Sequence, residues 1–132
     1  MQEPIGLETK ILLSYAGLSL LVATIGGAVG SHALTGLDER ALRSFSTAVE
    51  FQFFHGLGLI AVVLVVARGI GGRWLLLAGW LFVVGTELFC GSIYAATLGA
   101  PRGVLSVAPY GGVAFMVGWL LFAIGVWRSP PR

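Results

Sequence analysis

The stretch from residue 74 to residue 98 reads WLLLAGWLFVVGTELFCGSIYAATL, and Glu87 is its only acidic or basic residue. A helix rises 1.5 Å per residue, so about 20 residues cross the roughly 30 Å hydrocarbon core of a bilayer. This stretch is long enough and apolar enough to cross a membrane. It predicts a transmembrane helix with one ionisable group near its middle.

Three further runs without charge have a similar length: residues 11–31, 51–67 and 104–127. Residues 68–73 and 99–103, rich in Gly and Arg, separate the last three runs and are short enough to force antiparallel neighbours. The sequence therefore predicts an all-α integral membrane protein. We expect one membrane domain over residues 1–132, built as a four-transmembrane-helix antiparallel bundle.

The composition supports a lipid environment. Hydrophobic residues make up 57% of the chain and charged residues only 11%, whereas soluble domains carry about 25% charged residues. The net charge of +2 comes from basic residues that stand singly between apolar runs, with no Lys/Arg stripe for nucleic acid. The sequence also contains no Gly-x-Ser-x-Gly, Walker or His-Glu-x-x-His motif, so we expect neither an enzyme nor a bound cofactor.

Residues 35–50 are too charged to span a membrane, yet their apolar residues recur at helical spacing. Thr35 and Asp38 fit a capping box, and Glu39 and Arg43 form an i,i+4 pair. The segment predicts a short amphipathic interfacial helix between the first two spans. The alternative is a plain helical extension of the second span.

The orientation follows from Lys and Arg, which are enriched in cytoplasmic segments. If the N-terminus is inside, the inner segments hold Lys10, Arg68, Arg73, Arg128 and Arg132, and the outer segments hold Arg40, Arg43 and Arg102. Five against three favours cytoplasmic N- and C-termini.

Glu87 is the most unusual residue of the third run, because a charged group in the middle of a membrane costs roughly 2.5–3.5 kcal/mol on insertion scales. Glu87, Cys90, Gly91 and Tyr94 share one helical face, which we expect to point into the bundle. The favoured interpretation is a protonated carboxyl that is hydrogen-bonded to a neighbouring helix. A proton or cation relay is the alternative.

Other polar residues are expected to lie near the outer face of the bundle. They predict one hydrogen-bonded layer formed by His32, Gln52, His55, Ser92 and Tyr94. No metal site is expected, since the sequence has neither His-x-x-x-His nor Cys-x-x-Cys. A metal or haem would have to be held across several helices by candidates such as His32, His55 and Cys90.

Five motifs, four of which contain glycine, occur in order along nearly the whole chain: GGAVGSHAL at 26–34, EFQFFH at 50–55, GTELFCGSIY at 85–94, PYGG at 109–112 and GW at 118–119. In this order they resemble the YgdD/YwdK family of small bacterial membrane proteins. The resemblance implies four spans in the bacterial inner membrane and a domain of unknown function. Its implied positions of interest are the five polar residues above and the glycines Gly27, Gly30, Gly91, Gly111 and Gly112. Glu87 and Cys90 depart from the family pattern.

Three functions are compatible with these residues. The favoured hypothesis is a non-enzymatic accessory, assembly or structural bundle in the lipid bilayer, with a membrane-protein partner or as a homo-oligomer, and without nucleic acid. The alternative is a small transporter or an ion- or proton-conducting protein that uses Glu87 and the histidines. The second alternative is a metal- or haem-binding membrane protein that uses His32 and His55.

Overall fold

The computed structural model describes residues 5–131, and in this part of the chain all regular structure is helical. Four helical spans are long and apolar enough to cross a membrane. The first two spans are single helices, α1 (Leu7–His32) and α2 (Glu39–Ala67). The predicted four-helix, all-α membrane fold is confirmed.

The third and fourth spans are composite. The third span, Gly72–Thr97, consists of α3 (Gly72–Gly85), a π-helical turn (Thr86–Cys90) and α4 (Gly91–Thr97). The fourth span, Arg102–Arg128, begins with a 3₁₀ turn (Arg102–Val107) and continues as α5 (Ala108–Arg128). Each span begins before the charge-free run that predicted it, because helices continue through polar residues at their ends. The third span ends at Thr97, one residue before its predicted end.

Residues 39–50 form the first turns of α2 and not a separate interfacial helix, so the structure shows the helical extension. Asp38 is the N-cap, and its carboxylate accepts a 2.7 Å hydrogen bond from the backbone N–H of Ala41. Thr35 lies outside this cap, so the predicted capping box is not formed. The helix is continuous because no Gly or Pro interrupts the chain between Glu39 and Phe51.

The spans pack in chain order, α1 on α2, α2 on the third span, and the third span on α5. We call the end with the start of α1 and the end of α5 the terminal end, and the end with residues 33–38 and 98–101 the loop end. One apolar cluster joins α2, the third span and α5: Ala48, Val62, Leu75, Phe82, Cys90, Ile93 and Phe115. A smaller one joins α1 to α2: Leu12, Ala16, Leu59 and Val63. Both clusters leave the outer faces of α1 and α5 apolar and exposed.

The closest approach in the bundle lies between Gly111 of α5 and the end of α3. A Cβ atom on Gly111 would lie 2.5 Å from the backbone nitrogen of Phe89 and 2.9 Å from the carbonyl oxygen of Gly85. Backbone atoms cannot turn away as a side chain can. A side chain at position 111 therefore requires the two helices to separate.

The same face of α5 repeats this contact at intervals of seven residues. A Cβ atom on Gly118 would lie 3.3 Å from the carbonyl oxygen of Ala78, and one on Gly125 would lie 3.4 Å from that of Gly71. Small residues allow such backbone contact between helices in lipid. Three glycines on α5 thus follow the third span along its length.

The five glycines that the family resemblance marks differ in their surroundings. A Cβ on Gly30 would meet the Phe45 ring at 3.0 Å, and Gly111 meets backbone as described. A Cβ on Gly27 would lie at an ordinary contact distance of 3.9 Å from Val49, whereas a Cβ on Gly91 or Gly112 would meet nothing within 4 Å. Close helix packing therefore accounts for Gly30 and Gly111 alone.

Two contacts fasten the end of the chain to the turn between α2 and α3. The backbone N–H of Gly71 donates a 2.6 Å hydrogen bond to the hydroxyl of Ser129. The guanidinium of Arg128 lies over the Trp74 ring, 5.4 Å from its centroid, as in a cation–π contact. The terminal end of the bundle is thereby tied together.

We expect Gly111→Ala to lower the free energy of unfolding by about 1–3 kcal/mol, the usual cost of an overpacked core. The measurement is reversible unfolding in mixed detergent micelles, followed by circular dichroism. Gly112→Ala is the matched control, since its methyl group meets open space and alanine favours helix; it should be neutral or slightly stabilising. Equal stability of the two variants would contradict the packing described here.

Candidate functional site

An open groove of about 350 Å³ lies between α1 and the third span, with α2 at its base. Its apolar lining includes Leu18 and Val22. Its polar lining comes from three helical spans and comprises Tyr15, Ser19, Gln52, Thr86, Glu87, Cys90 and Tyr94. We call it the Glu87 groove.

Glu87, Cys90, Gly91 and Tyr94 all line this groove, so the predicted common face is confirmed. Glu87 itself is exposed there and not buried inside the bundle, so the predicted inward orientation is wrong. The hydroxyl of Tyr15 on α1 donates a 2.6 Å hydrogen bond to Oε1 of Glu87, which is the predicted bond to a neighbouring helix. Glu87 lies in the π-helical turn, where the N–H of Gly91 bonds to the carbonyl of Thr86, one residue further back than in an α-helix.

A second polar contact set lies nearer the loop end and crosses three helices. The amide of Gln52, a buried residue of α2, donates to the Ser19 hydroxyl at 3.2 Å. Its carbonyl oxygen accepts a 2.6 Å hydrogen bond from the Tyr94 hydroxyl. Gln52 thus links α1 to α4 through neutral groups, which fixes the register of the helices.

His55 belongs to a different environment, an aromatic cluster between α2 and α5. The indole N–H of Trp119 donates to its Nε2 at 3.0 Å, so the imidazole proton resides on Nδ1 and is donated to the Phe51 carbonyl at 2.7 Å. The ring also stacks on Phe115, with centroids 3.5 Å apart and planes inclined by 13°. Both ring nitrogens of His55 are engaged.

The predicted polar layer is therefore only partly assembled. Gln52 and Tyr94 are bonded to each other, but His55 lies in the aromatic cluster, and Ser92 donates to the carbonyl of Phe89 in its own span. His32 is exposed at the end of α1, and within residues 5–131 no hydrogen bond joins it to the other four. The prediction that the five residues form a single hydrogen-bonded layer is wrong.

Sequence reasoning missed three participants: Tyr15, Ser19 and Trp119. Tyr15 and Ser19 are polar residues one helical turn apart inside the first apolar run. That spacing was a usable signal for a polar stripe on α1. The bond from Trp119 to His55 joins residues 64 positions apart and had no local signal.

The candidate metal ligands are not brought together. In the described part of the chain, no group of three or more His, Cys, Asp or Glu side chains could hold a metal ion. The buried thiol of Cys90 donates to the carbonyl of Ala48 at 3.2 Å. His55 would have to lose the hydrogen bond from Trp119 before its Nε2 could ligate a metal or a haem.

Polar contacts also join α1 to the third span at the terminal end. Arg73 forms an ion pair with Glu8 at 3.0 Å, and the indole N–H of Trp80 donates to Glu8 at 2.8 Å. Seven residues further along each helix, Tyr15 meets Glu87. α1 packs mainly on α2, and these polar contacts at two levels also attach it to the third span.

Four apolar spans, tight glycine contacts and a polar groove between helices define a small polytopic helical membrane protein. The chain belongs to the family described as "Protein of unknown function (DUF423)", whose model matches residues 26–112. The family resemblance predicted from the sequence motifs is confirmed. The matched range contains every polar residue of the Glu87 groove except Tyr15 and Ser19.

Relatives cover nearly the whole chain. A UPF0382 membrane protein of Staphylococcus saprophyticus is 34% identical over 121 residues, which cover 90% of this chain and 98% of the relative. The UPF0382 membrane protein YwdK of Bacillus subtilis is 30% identical, with 87% and 94% covered. The UPF0382 inner membrane protein YgdD of Escherichia coli is 30% identical, with 92% and 93% covered. No solved structure matches the chain.

We expect Tyr94→Phe to lower the free energy of unfolding by about 0.5–1.5 kcal/mol, because it removes the hydroxyl that donates to Gln52. Gln52→Leu should abolish the effect of a further Tyr94→Phe substitution in a double-mutant cycle. The control is Tyr110→Phe, since Tyr110 is exposed at the start of α5. An unfolding experiment in which Tyr94→Phe and Tyr110→Phe behave alike would contradict the bond.

Proposed function

We propose that this protein is a non-enzymatic accessory or assembly bundle that binds a transmembrane helix of a partner protein at the Glu87 groove. The observation that carries the proposal is the exposed carboxyl of Glu87 near the middle of the 26-residue third span. Its Oε1 accepts from Tyr15, while among the described residues no hydrogen bond reaches Oε2. An intramembrane carboxyl is costly when it faces lipid, and a donor from a partner would offset that cost.

The depth and shape of the groove favour a helix as its occupant. Lipid head groups lie at the membrane surfaces, whereas Glu87 is ten residues, about 15 Å, from the nearer end of its span, Thr97. Leu18 and Val22 give the groove an apolar lining on α1. A helix with small and apolar residues and one hydrogen-bond donor at the level of Glu87 would satisfy both features.

The transporter hypothesis remains a second candidate because polar groups occur at successive levels between α1 and the third span. They are Glu8 with Arg73, then Tyr15 with Glu87, then the set of Ser19, Gln52 and Tyr94. The groove is open on one side, so conduction would need a second copy of the chain to close it. A conduction pathway along these polar groups would use Glu87 but neither histidine.

Site-directed photo-crosslinking in native membranes tests the proposal. A photo-reactive phenylalanine analogue in place of Leu18, which is 64% exposed in the groove, should form an adduct with a different membrane protein. The same analogue in place of Met116, which is 66% exposed on α5, is the matched control and should not. Glu87→Leu should reduce the Leu18 adduct by about tenfold, since a charged or donor-paired carboxyl contributes 1–3 kcal/mol.

Two results would count against a partner helix. If the yield of adduct at position 18 is no higher than at position 116, lipid alone covers the groove. An adduct with the mass of two copies of this chain would favour the oligomeric transporter over the accessory bundle. In that case, proton or cation flux into liposomes should differ between the wild-type protein and Glu87→Gln.

We further infer that the protein resides in the bacterial inner membrane with both termini in the cytoplasm. The name of the Escherichia coli relative supports the membrane. The terminal end carries Lys10, Arg68, Arg73 and Arg128, against Arg40, Arg43 and Arg102 at the loop end, and Arg132 lies outside the described residues. The excess of basic residues supports a cytoplasmic terminal end.

Reporter fusions at the C-terminus check this orientation. Green fluorescent protein, which fluoresces only when it folds in the cytoplasm, should be bright. Alkaline phosphatase, which is active only outside the inner membrane, should be inactive. The reverse pair of results would place the termini outside.

A further inference from the structure

A second groove lies at the loop end, between the first turns of α2 and the end of the third span. It has a volume of about 710 Å³ and continues into a cavity of about 580 Å³, with Arg40, Ser44 and Ile93 lining both. Arg102, the first residue of the 3₁₀ turn, lines the larger part. We call it the arginine groove. It shares no lining residue with the Glu87 groove.

Arg40 and Arg102 stand out among the charged residues of this groove. Both are exposed, and within residues 5–131 neither forms an ion pair or a hydrogen bond. Arg43 is already paired with Glu39 at 2.6 Å. The nearest acidic group in the lining, Asp38, has one carboxylate oxygen engaged in capping α2. The groove therefore offers two guanidinium groups to an external anion.

The groove combines charge at one level with apolar surface at the next. Arg40 lies in the first turn of α2 and Arg102 at the start of the fourth span, so both belong to the membrane surface at the loop end. The hydroxyl residues Ser44 and Thr97 lie beside them. Phe89, four residues closer to the membrane centre than Ile93 on the same span, lines the adjoining cavity. This is the order of a phosphate group and an acyl chain in a lipid.

We propose that the arginine groove binds the head group of an anionic phospholipid. Guanidinium groups bind phosphate oxygens through paired, charge-assisted hydrogen bonds, and basic pockets between transmembrane helices hold anionic head groups. Arg40 and Arg102 bind the phosphate, and one acyl chain lies over Phe89 and Ile93. The site is independent of any partner at the Glu87 groove.

Native mass spectrometry of the protein in mild detergent tests the site, with phosphatidylglycerol and phosphatidylcholine added in equal amounts. The wild-type protein should retain phosphatidylglycerol preferentially. Each arginine is expected to contribute about fivefold, so Arg40→Gln/Arg102→Gln should lose most of the preference. Lys10→Gln removes one positive charge from an exposed position at the terminal end; it is the matched control for the single variant Arg102→Gln and should keep the preference.

Further measurements distinguish lipid binding from the binding of other anions and from unfolding of the variants. Inorganic phosphate alone should bind far more weakly than phosphatidylglycerol, because it lacks the acyl chain; equal binding would overturn the proposal. The single variant Arg102→Gln changes only an exposed turn, so it keeps the test valid if the double variant unfolds. Its preference for phosphatidylglycerol should fall about fivefold. Equal retention of the two lipids by the wild-type protein, or unchanged preference in the arginine variants, would also overturn it.

Discussion

Helices in a bilayer gain little from burying apolar side chains against each other, because the surrounding lipid is equally apolar. They are held together by close van der Waals contact and by hydrogen bonds, and both require the backbones to come near. In this bundle the third span and α5 meet backbone to backbone, through Gly111 against Gly85 and through Gly118 and Gly125 further along. That contact fixes the third span relative to α5, and the remaining faces of the third span receive α2 and α1.

The π-helical turn lies at the tightest point of this contact. The backbone nitrogen of Phe89, within the turn, is the atom that a side chain on Gly111 would strike first. Within the turn, Cys90 is buried while Glu87 is exposed. Irregular turns of this kind occur often at functional sites in helices. Here one turn contains both the backbone that α5 approaches most closely and the exposed carboxyl.

The sequence contained most of the fold, because hydropathy and length decide a helical membrane protein almost by themselves. Four spans and their short connections follow from runs without charge. The extension of α2 was only the alternative to the predicted interfacial helix, although no Gly or Pro interrupts residues 39–51. The site was harder to predict. Helical spacing placed Glu87, Cys90, Gly91 and Tyr94 on one face, but it could not reveal that this face opens into a groove and leaves Glu87 exposed.

The polar residues show the same limit. Glu87 and the five residues of the predicted layer were recognised as unusual in apolar runs, whereas Tyr15, Ser19 and Trp119 were not. The sequence does not say which polar residues face one another across helices. His55 is hydrogen-bonded to Trp119 and Gln52 to Tyr94, and the two pairs lie in different environments. Depth along a span is predictable from residue counting. Rotation about the helix axis is not, because it depends on which faces have small residues.

The helix α2 spans 29 residues, about 43 Å at 1.5 Å per residue, and so exceeds the thickness of the hydrocarbon core. At the terminal end, Trp74 and Arg128 form a pair of the kind that anchors a protein at the level of the lipid head groups. The surplus length of α2 consequently emerges at the opposite end. A thicker bilayer would cover more of the first turns of α2 and a thinner bilayer would cover less. The depth of the arginine groove in the membrane therefore changes with bilayer thickness.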